Sequence, residues 1–169
     1  IEHGIDQPDA AADQHQKSDQ QHDIGQGAVF FAFGFRRIAR RPAAARQRLR
    51  DAVKHSKLVT VGFGPHATYT VSEPNLLKVA TLAAELDAAV QIHLHETRGE
   101  VLLAVERNGE RPLDSLQRLG LLGPRTQCVH MTDLGDQDIA LLAASGAHVV
   151  HCPQSNMKLA SGSCPADAL

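Results

Sequence analysis

The residues of this chain best suited to chemistry are its histidines, ten in 169 residues. From position 57 onward they fall at His66, His93, His95, His130, His148 and His151, each in or directly after a short apolar run. Neutral imidazole is the commonest ligand of zinc, and several imidazoles at one mouth are how a mononuclear hydrolytic site is built. His93-Leu94-His95-Glu96 adds a carboxylate just beyond two of them. A metal-bound water needs a base to take its proton, and a leaving amine needs that proton delivered, so a non-ligating glutamate beside the metal suits both steps. Taken singly, a histidine at a strand end is more often a hydrogen-bonded structural residue than a ligand. Glu96 has an equally plain alternative, the N-terminus of the next helix, where a negative charge is favourable. The register of His66, His93, His95, His130 and His151 across successive units favours a site. His148 lies inside its run and is expected to be structural. His95 shares the face of His93 and is expected to be a ligand or to support one.

The elements that must position these residues alternate regularly. Residues 58–63, 89–94, 126–130 and 147–151 have the β-branched, apolar content of buried strands. Ser72 is expected to cap a helix with Pro74 in its first turn, followed by an apolar stripe through Leu76, Val79, Ala83 and Leu86. Further helices are expected over 98–108, over 113–119 and over 137–144, the last capped by Thr132 or Asp133 and ended by Gly146. Strand and helix in alternation are the signature of parallel βα units, so the fold class is α/β. The C-terminal ends of parallel strands face one side of the sheet, the side that carries active sites in barrels. Four such units form either a small open sheet or the middle of a longer barrel.

Residues 1–46 read differently. From Gln7 to Gln26 the chain is Gln, Asp, His and Ala with almost no large apolar residue, too little apolar surface to offset chain entropy. A short burst, Val29-Phe30-Phe31-Ala32-Phe33-Gly34-Phe35, is followed by an Ala/Arg run. Three readings stand side by side: a disordered tail with one sticky patch, one marginal amphipathic helix, or a stretch translated in the wrong frame. The domain division is therefore 1–46 and 47–169. The formal net charge of −2 points to neither nucleic acid nor an anionic membrane. No apolar run has the length of a membrane span and the start lacks a signal-peptide layout, so a cytoplasmic location is expected. Cys128, Cys152 and Cys164 form no CxxC pair, which argues against a disulfide framework or a cysteine zinc site.

Four blocks in order carry a resemblance: Gly64-Pro65-His66-Ala67-Thr68-Tyr69-Thr70, His93-Leu94-His95-Glu96-Thr97, Cys128-Val129-His130-Met131, and His151-Cys152-Pro153-Gln154-Ser155-Asn156-Met157-Lys158-Leu159. In order and spacing they resemble the central blocks of the amidohydrolase superfamily. The subgroup they look most like holds the methylthioadenosine/S-adenosylhomocysteine deaminases and the triazine chlorohydrolases and aminohydrolases. The resemblance implies part of a metal-dependent (β/α)₈ hydrolase barrel, its strands four to seven. It implies one divalent metal, zinc, a nucleoside or related heterocycle as substrate, and a homodimer as the usual assembly.

Residue by residue, the resemblance makes His93 the metal ligand from the fifth strand. Glu96 would shuttle a proton between water, the ring nitrogen and departing ammonia. His66 would contact the substrate, and His130 would lie near the reacting water. His151 and Asn156 would shape the pocket from the loop after the seventh strand, with Asn156 touching the substrate. Relatives often carry a histidine where Gln127 stands here. Their first two ligands form an HxH pair that does not occur before His66, and their aspartate ligand would follow about where Leu169 stands. One of four expected ligands is thus present, and the chain alone is expected to be inactive. Rival expectations are a chlorohydrolase, aminohydrolase or guanine-type deaminase on the same scaffold, and a non-catalytic βα module without metal.

Overall fold

The computed structural model describes residues 51–53, 55, 56 and 60–169, so the expectations for residues 1–46 lie outside them. Beyond Ser72 the chain alternates helix and strand: α1 Glu73–Glu85, β1 Val90–Leu94, α2 Arg98–Asn108, α3 Pro112–Arg118, β2 Thr126–His130, α4 Asp136–Ser145, β3 His148–Val150 and α5 Pro153–Leu159. The strands form one parallel sheet in the order β1-β2-β3. This is the α/β architecture expected from the alternation, with consecutive parallel strands joined by helical crossovers.

The first expected strand differs. Its residues 58 and 59 are outside the described set, and 60–62 are not strand. The segment instead meets β1 through two isolated parallel bridges, Phe63 with Val90 and Ala67 with His93. Gly64-Pro65 between them explains the interruption, because proline has no N–H to give a ladder. The last strand is shorter than expected: it stops at Val150, leaving His151 exposed beyond it.

Helix starts follow local chemistry. Ser72 is the N-cap of α1, with Pro74 in the first turn as expected, although its hydroxyl accepts from the Asn75 side chain (3.0 Å) rather than from a helix N–H. The cap of α4 is Gly135 and not Thr132 or Asp133. Asp138 takes the capping role by accepting from the Gly135 N–H at 2.8 Å, while the other two side chains are engaged elsewhere. The apolar stripe of α1, Leu76, Val79 and Ala83, packs with Phe63, Ile92, Leu94, Leu113, Leu116, Cys128 and Met131 in one core. Burial of its thiol pushes the Cys128 pKa up to about 12.

Candidate active site

Alternation along β1 buries Val90, Ile92 and Leu94 and leaves Gln91 and His93 on the more open face. In the parallel register Leu94 lies beside His130, and His93 beside Val129. A regular pleat would therefore send His130 to the face of Leu94. The backbone at His130 is left-handed (φ 84°), as is Met131 (φ 51°), and the His130 ring stacks on His93 with centroids 5.4 Å apart. His66 completes the row, its ring 5.1 Å from that of His93. Left-handed conformations cost a non-glycine residue on the order of 1–3 kcal/mol and persist where surrounding contacts over-determine them.

The hydrogen bonds fix the tautomers. His93 Nδ1 lies 2.7 Å from the His66 carbonyl, which can only accept, so Nδ1 carries the proton and Nε2 keeps its lone pair. His66 Nδ1 lies 2.8 Å from Thr70 Oγ1. That hydroxyl donates to the Ala67 carbonyl (3.2 Å), so His66 is again the Nδ1–H form. Burial and the neighbouring His93 hold the His66 imidazole below its ordinary pKa, with Glu96 opposing them. His130 Nδ1 donates to Asn156 Oδ1 at 2.7 Å, and its Nε2 lies 3.4 Å from Glu96 Oε1.

His95 is placed otherwise than expected. It follows the end of β1 in a left-handed turn (φ 49°) and is fully buried, so it does not share the open face of His93. Its Nδ1–H donates to the Asp133 carbonyl (2.8 Å), and its Nε2 accepts from the Leu113 N–H (3.2 Å). With both nitrogens bonded it cannot ligate a metal, and burial pushes its pKa down. Its role is structural. Arg111 ties the same loop: it donates to the Asp133 carbonyl (2.9 Å) and carboxylate (3.0 Å), and pairs with Asp138 at 2.9 Å.

The helix-capping alternative for Glu96 falls to its neighbours. Thr97 is the N-cap of α2 and accepts from the Glu100 N–H at 3.0 Å. The Glu100 carboxylate reaches back to the N–H of Glu96 (2.8 Å) and of His95 (3.2 Å). Burial raises the Glu100 pKa against the pull of these N–H groups. The hydroxyl of Thr132 lies 2.8 Å from the Glu96 carbonyl, and 3.0 Å from those of His95 and Ser161. Glu96 is thus held by its backbone on both sides while its carboxylate, 22% exposed, remains free of capping duty. The sequence reading does not include Glu100, although Thr97-Arg98-Gly99-Glu100 has the spacing of a capping box, and it expects Thr132 to cap a helix instead. A groove of about 410 Å³ between the Thr68-Tyr69 turn and α2 opens onto Glu96, Glu100 and Leu103.

The structure therefore brings His66, His93, His130 and Glu96 to one mouth, with Asn156 buried behind His130. His151 is exposed, and His148 donates from Nε2 to the Pro124 carbonyl at 3.1 Å. Among the described residues no group of three or more His, Cys, Asp or Glu side chains is arranged to hold a metal. The Nε2 lone pair of His93, left open by the Nδ1–H bond to the His66 carbonyl, fits one ligand position.

Against known proteins, the chain is 55% identical over 122 residues to a 5-methylthioadenosine/S-adenosylhomocysteine deaminase of Saccharophagus degradans, covering 72% of this chain and 27% of that protein. It is 42% identical over 112 residues to a 5'-deoxyadenosine deaminase of Methanothrix thermoacetophila, covering 66% and 27%. Its structure is similar to that of an adenosine deaminase from Xanthomonas campestris with bound zinc, at a TM-score of 0.71 and 48% identity over 75% of this chain and 29% of that one. The chain thus spans about 27% of the length of the curated relatives it matches. Among the described residues no helix is long and apolar enough to cross a membrane. The sequence pattern of the amidohydrolase family matches residues 3–169, and the chain belongs to that family.

Proposed function

We propose that this chain carries the proton-transfer part of a zinc-dependent deaminase of adenosine-type nucleosides such as methylthioadenosine and S-adenosylhomocysteine, within a (β/α)₈ barrel. The observation that carries this reading is Glu96: its backbone is fixed, its carboxylate is uncapped, and Oε1 faces His130 Nε2 at 3.4 Å beside the His93 ring. The names of the relatives supply the substrate class, and the zinc of the Xanthomonas campestris structure supplies the metal.

Zinc, when bound, lowers the pKa of a water toward neutrality and so provides a nucleophile. His93 would hold it through Nε2, its ring oriented by the Nδ1–H bond to the His66 carbonyl. Glu96 takes one proton of the attacking water and delivers it to purine N1 as the oxygen bonds to C6; it then carries the remaining proton of that hydroxyl to the amine, so the C6–N bond breaks, ammonia leaves and C6 keeps a carbonyl oxygen. His66, exposed on the mouth with its ring edge-on to Tyr69 at 6.1 Å, contacts the nucleoside.

The test replaces the 122-residue stretch of the Saccharophagus degradans deaminase that aligns with this chain by the chain's own residues. The graft should release ammonia from methylthioadenosine, and Glu96→Gln should lower kcat by about 10²–10⁴-fold with zinc content unchanged. A folded, zinc-loaded graft that deaminates guanine or dechlorinates a triazine, yet leaves methylthioadenosine intact, would overturn the substrate class. The chain by itself should release no ammonia, since among the described residues no group of three or more His, Cys, Asp or Glu side chains is arranged to hold the metal. Turnover by the chain alone, abolished in Glu96→Gln, would contradict that expectation.

A further inference from the structure

Asn156 has no evident reason to be polar. It lies in α5 at 1% exposure, and its Nδ2 is a buried donor without a hydrogen-bond partner among the described residues. An unsatisfied buried amide is costly, and an apolar residue of similar volume would avoid that cost. Its backbone is fixed nonetheless. The Asn156 N–H donates to the Cys152 carbonyl (3.0 Å), and its carbonyl accepts from the Ser161 N–H (3.0 Å). What the amide does accomplish is one contact across 26 residues of sequence, Oδ1 at 2.7 Å from His130 Nδ1.

An amide oxygen only accepts, so this contact requires His130 to carry its proton on Nδ1, and in the neutral ring Nε2 is then a bare lone pair. That lone pair faces Glu96 Oε1 at 3.4 Å. Two acceptors facing each other are compatible when a hydrogen lies between them, which is the proton-loaded form of Glu96. With the amide reversed, Nδ2–H would donate to Nδ1, and Nε2–H would donate to the carboxylate and favour its empty form.

We propose that Asn156 is a positioning residue whose side-chain carbonyl fixes His130 as the Nδ1–H tautomer and so presents Nε2 to Glu96 as an acceptor. This deepens the proposed function and rests on it for the role of Glu96. The placement makes Asn156 act on the substrate through His130 and not by direct contact.

Long-range ¹H–¹⁵N spectra of the imidazoles of the whole chain, recorded over a pH series so that each neutral ring is identified from its own nitrogen shifts, test the tautomer without any turnover. His130 should show a protonated Nδ1 and an unprotonated Nε2. Asn156→Asp, which keeps an acceptor, should preserve that pattern, and Asn156→Leu should shift protonation toward Nε2. A wild-type spectrum with Nε2 protonated, or a leucine variant indistinguishable from wild type, overturns the proposal. Should the leucine variant fail to fold, the wild-type and aspartate spectra still decide it. In the graft, Asn156→Leu should lower kcat by about 10–100-fold with KM nearly unchanged, and Asn156→Asp should recover most of the loss. A rise in KM at unchanged kcat would instead make Asn156 a direct substrate contact and overturn the proposal. A graft with the expected tautomer but no ammonia release would count against the deaminase reading alone.

Discussion

The mouth shared by β1 and β2 and the end of β3 use the same device, a histidine at or next to the C-terminal end of a parallel strand, with opposite results. At the first, His93 and His130 stack, Glu96 stands beside them, and the following loops are tied down by Glu100, Thr132, Arg111 and Asp138. At the second, the strand has three residues, none of them buried, and His151 is exposed. The difference lies in what happens after the strand. A histidine in register becomes part of a site where the next loop is held by long-range hydrogen bonds. At β3, the edge of the described sheet, the chain runs directly into α5, and among the described residues His151 lies on the surface.

That contrast can be broken first at Arg111. Arg111→Leu leaves Asp138, 3% exposed, without its cationic partner. The expected loss is on the order of 3 kcal/mol, read as a lower urea midpoint at unchanged slope. A midpoint near wild type would mean that the loop ties matter little to the mouth.

A smaller effect is expected at Gly162, which sits at φ 111° with a would-be Cβ 3.3 Å from Thr132 Cβ. Gly162→Ala should cost about 1–2 kcal/mol in stability and loosen the Thr132 contact to Glu96. Hydrogen exchange at the residues around Glu96 should speed up in this variant more than in the sheet. Equal change in both would place the strain elsewhere.

Glu73 provides an exposed comparison with the carboxylates of the mouth. The guanidinium of Arg118, 2.9 Å away, holds its pKa below the ordinary 4.5. A depressed folded-state pKa adds stability that is present above the unfolded value and lost as pH falls through the folded one. The stability gap between wild type and Glu73→Gln should therefore be small at neutral pH, because the pair is solvent-screened. It should close as the solution is acidified below 4.5, and a gap that widens there would reverse the assignment. Least of all should follow from His151→Ala, a change within about 0.5 kcal/mol and no loss of ammonia release in the graft. A substantial loss of either would remove the distinction between the two strand ends.

Much of this was legible in the chain itself. The apolar runs gave β1 and β2, the stripe and Ser72-Glu73-Pro74 gave α1, and α2 begins and ends where expected. His93 and Glu96 reach one mouth because strand periodicity is a local property. His95 was misplaced because its two bonds are made to Asp133 and Leu113, partners that no local pattern specifies. The cap of α4 was misassigned for a similar reason: Thr132 and Asp133 have good capping chemistry but meet the Glu96 carbonyl and Arg111 instead. His130 reaches His93 through a left-handed backbone that its residue type does not advertise.

The ties of His95 also bear on how the chain reaches its native state. They join the end of β1 to the start of α3 and to the loop beyond β2, 38 positions away in the second case. Contacts of such sequence separation close late, after the entropy of the intervening loop has been lost. The turn that presents Glu96 is therefore held only in part, by Glu100, while β1 and α2 form on their own. It becomes rigid when β2 docks, and opening that turn afterwards requires the sheet to come apart with it, so the two should exchange their amide protons as a single cooperative unit.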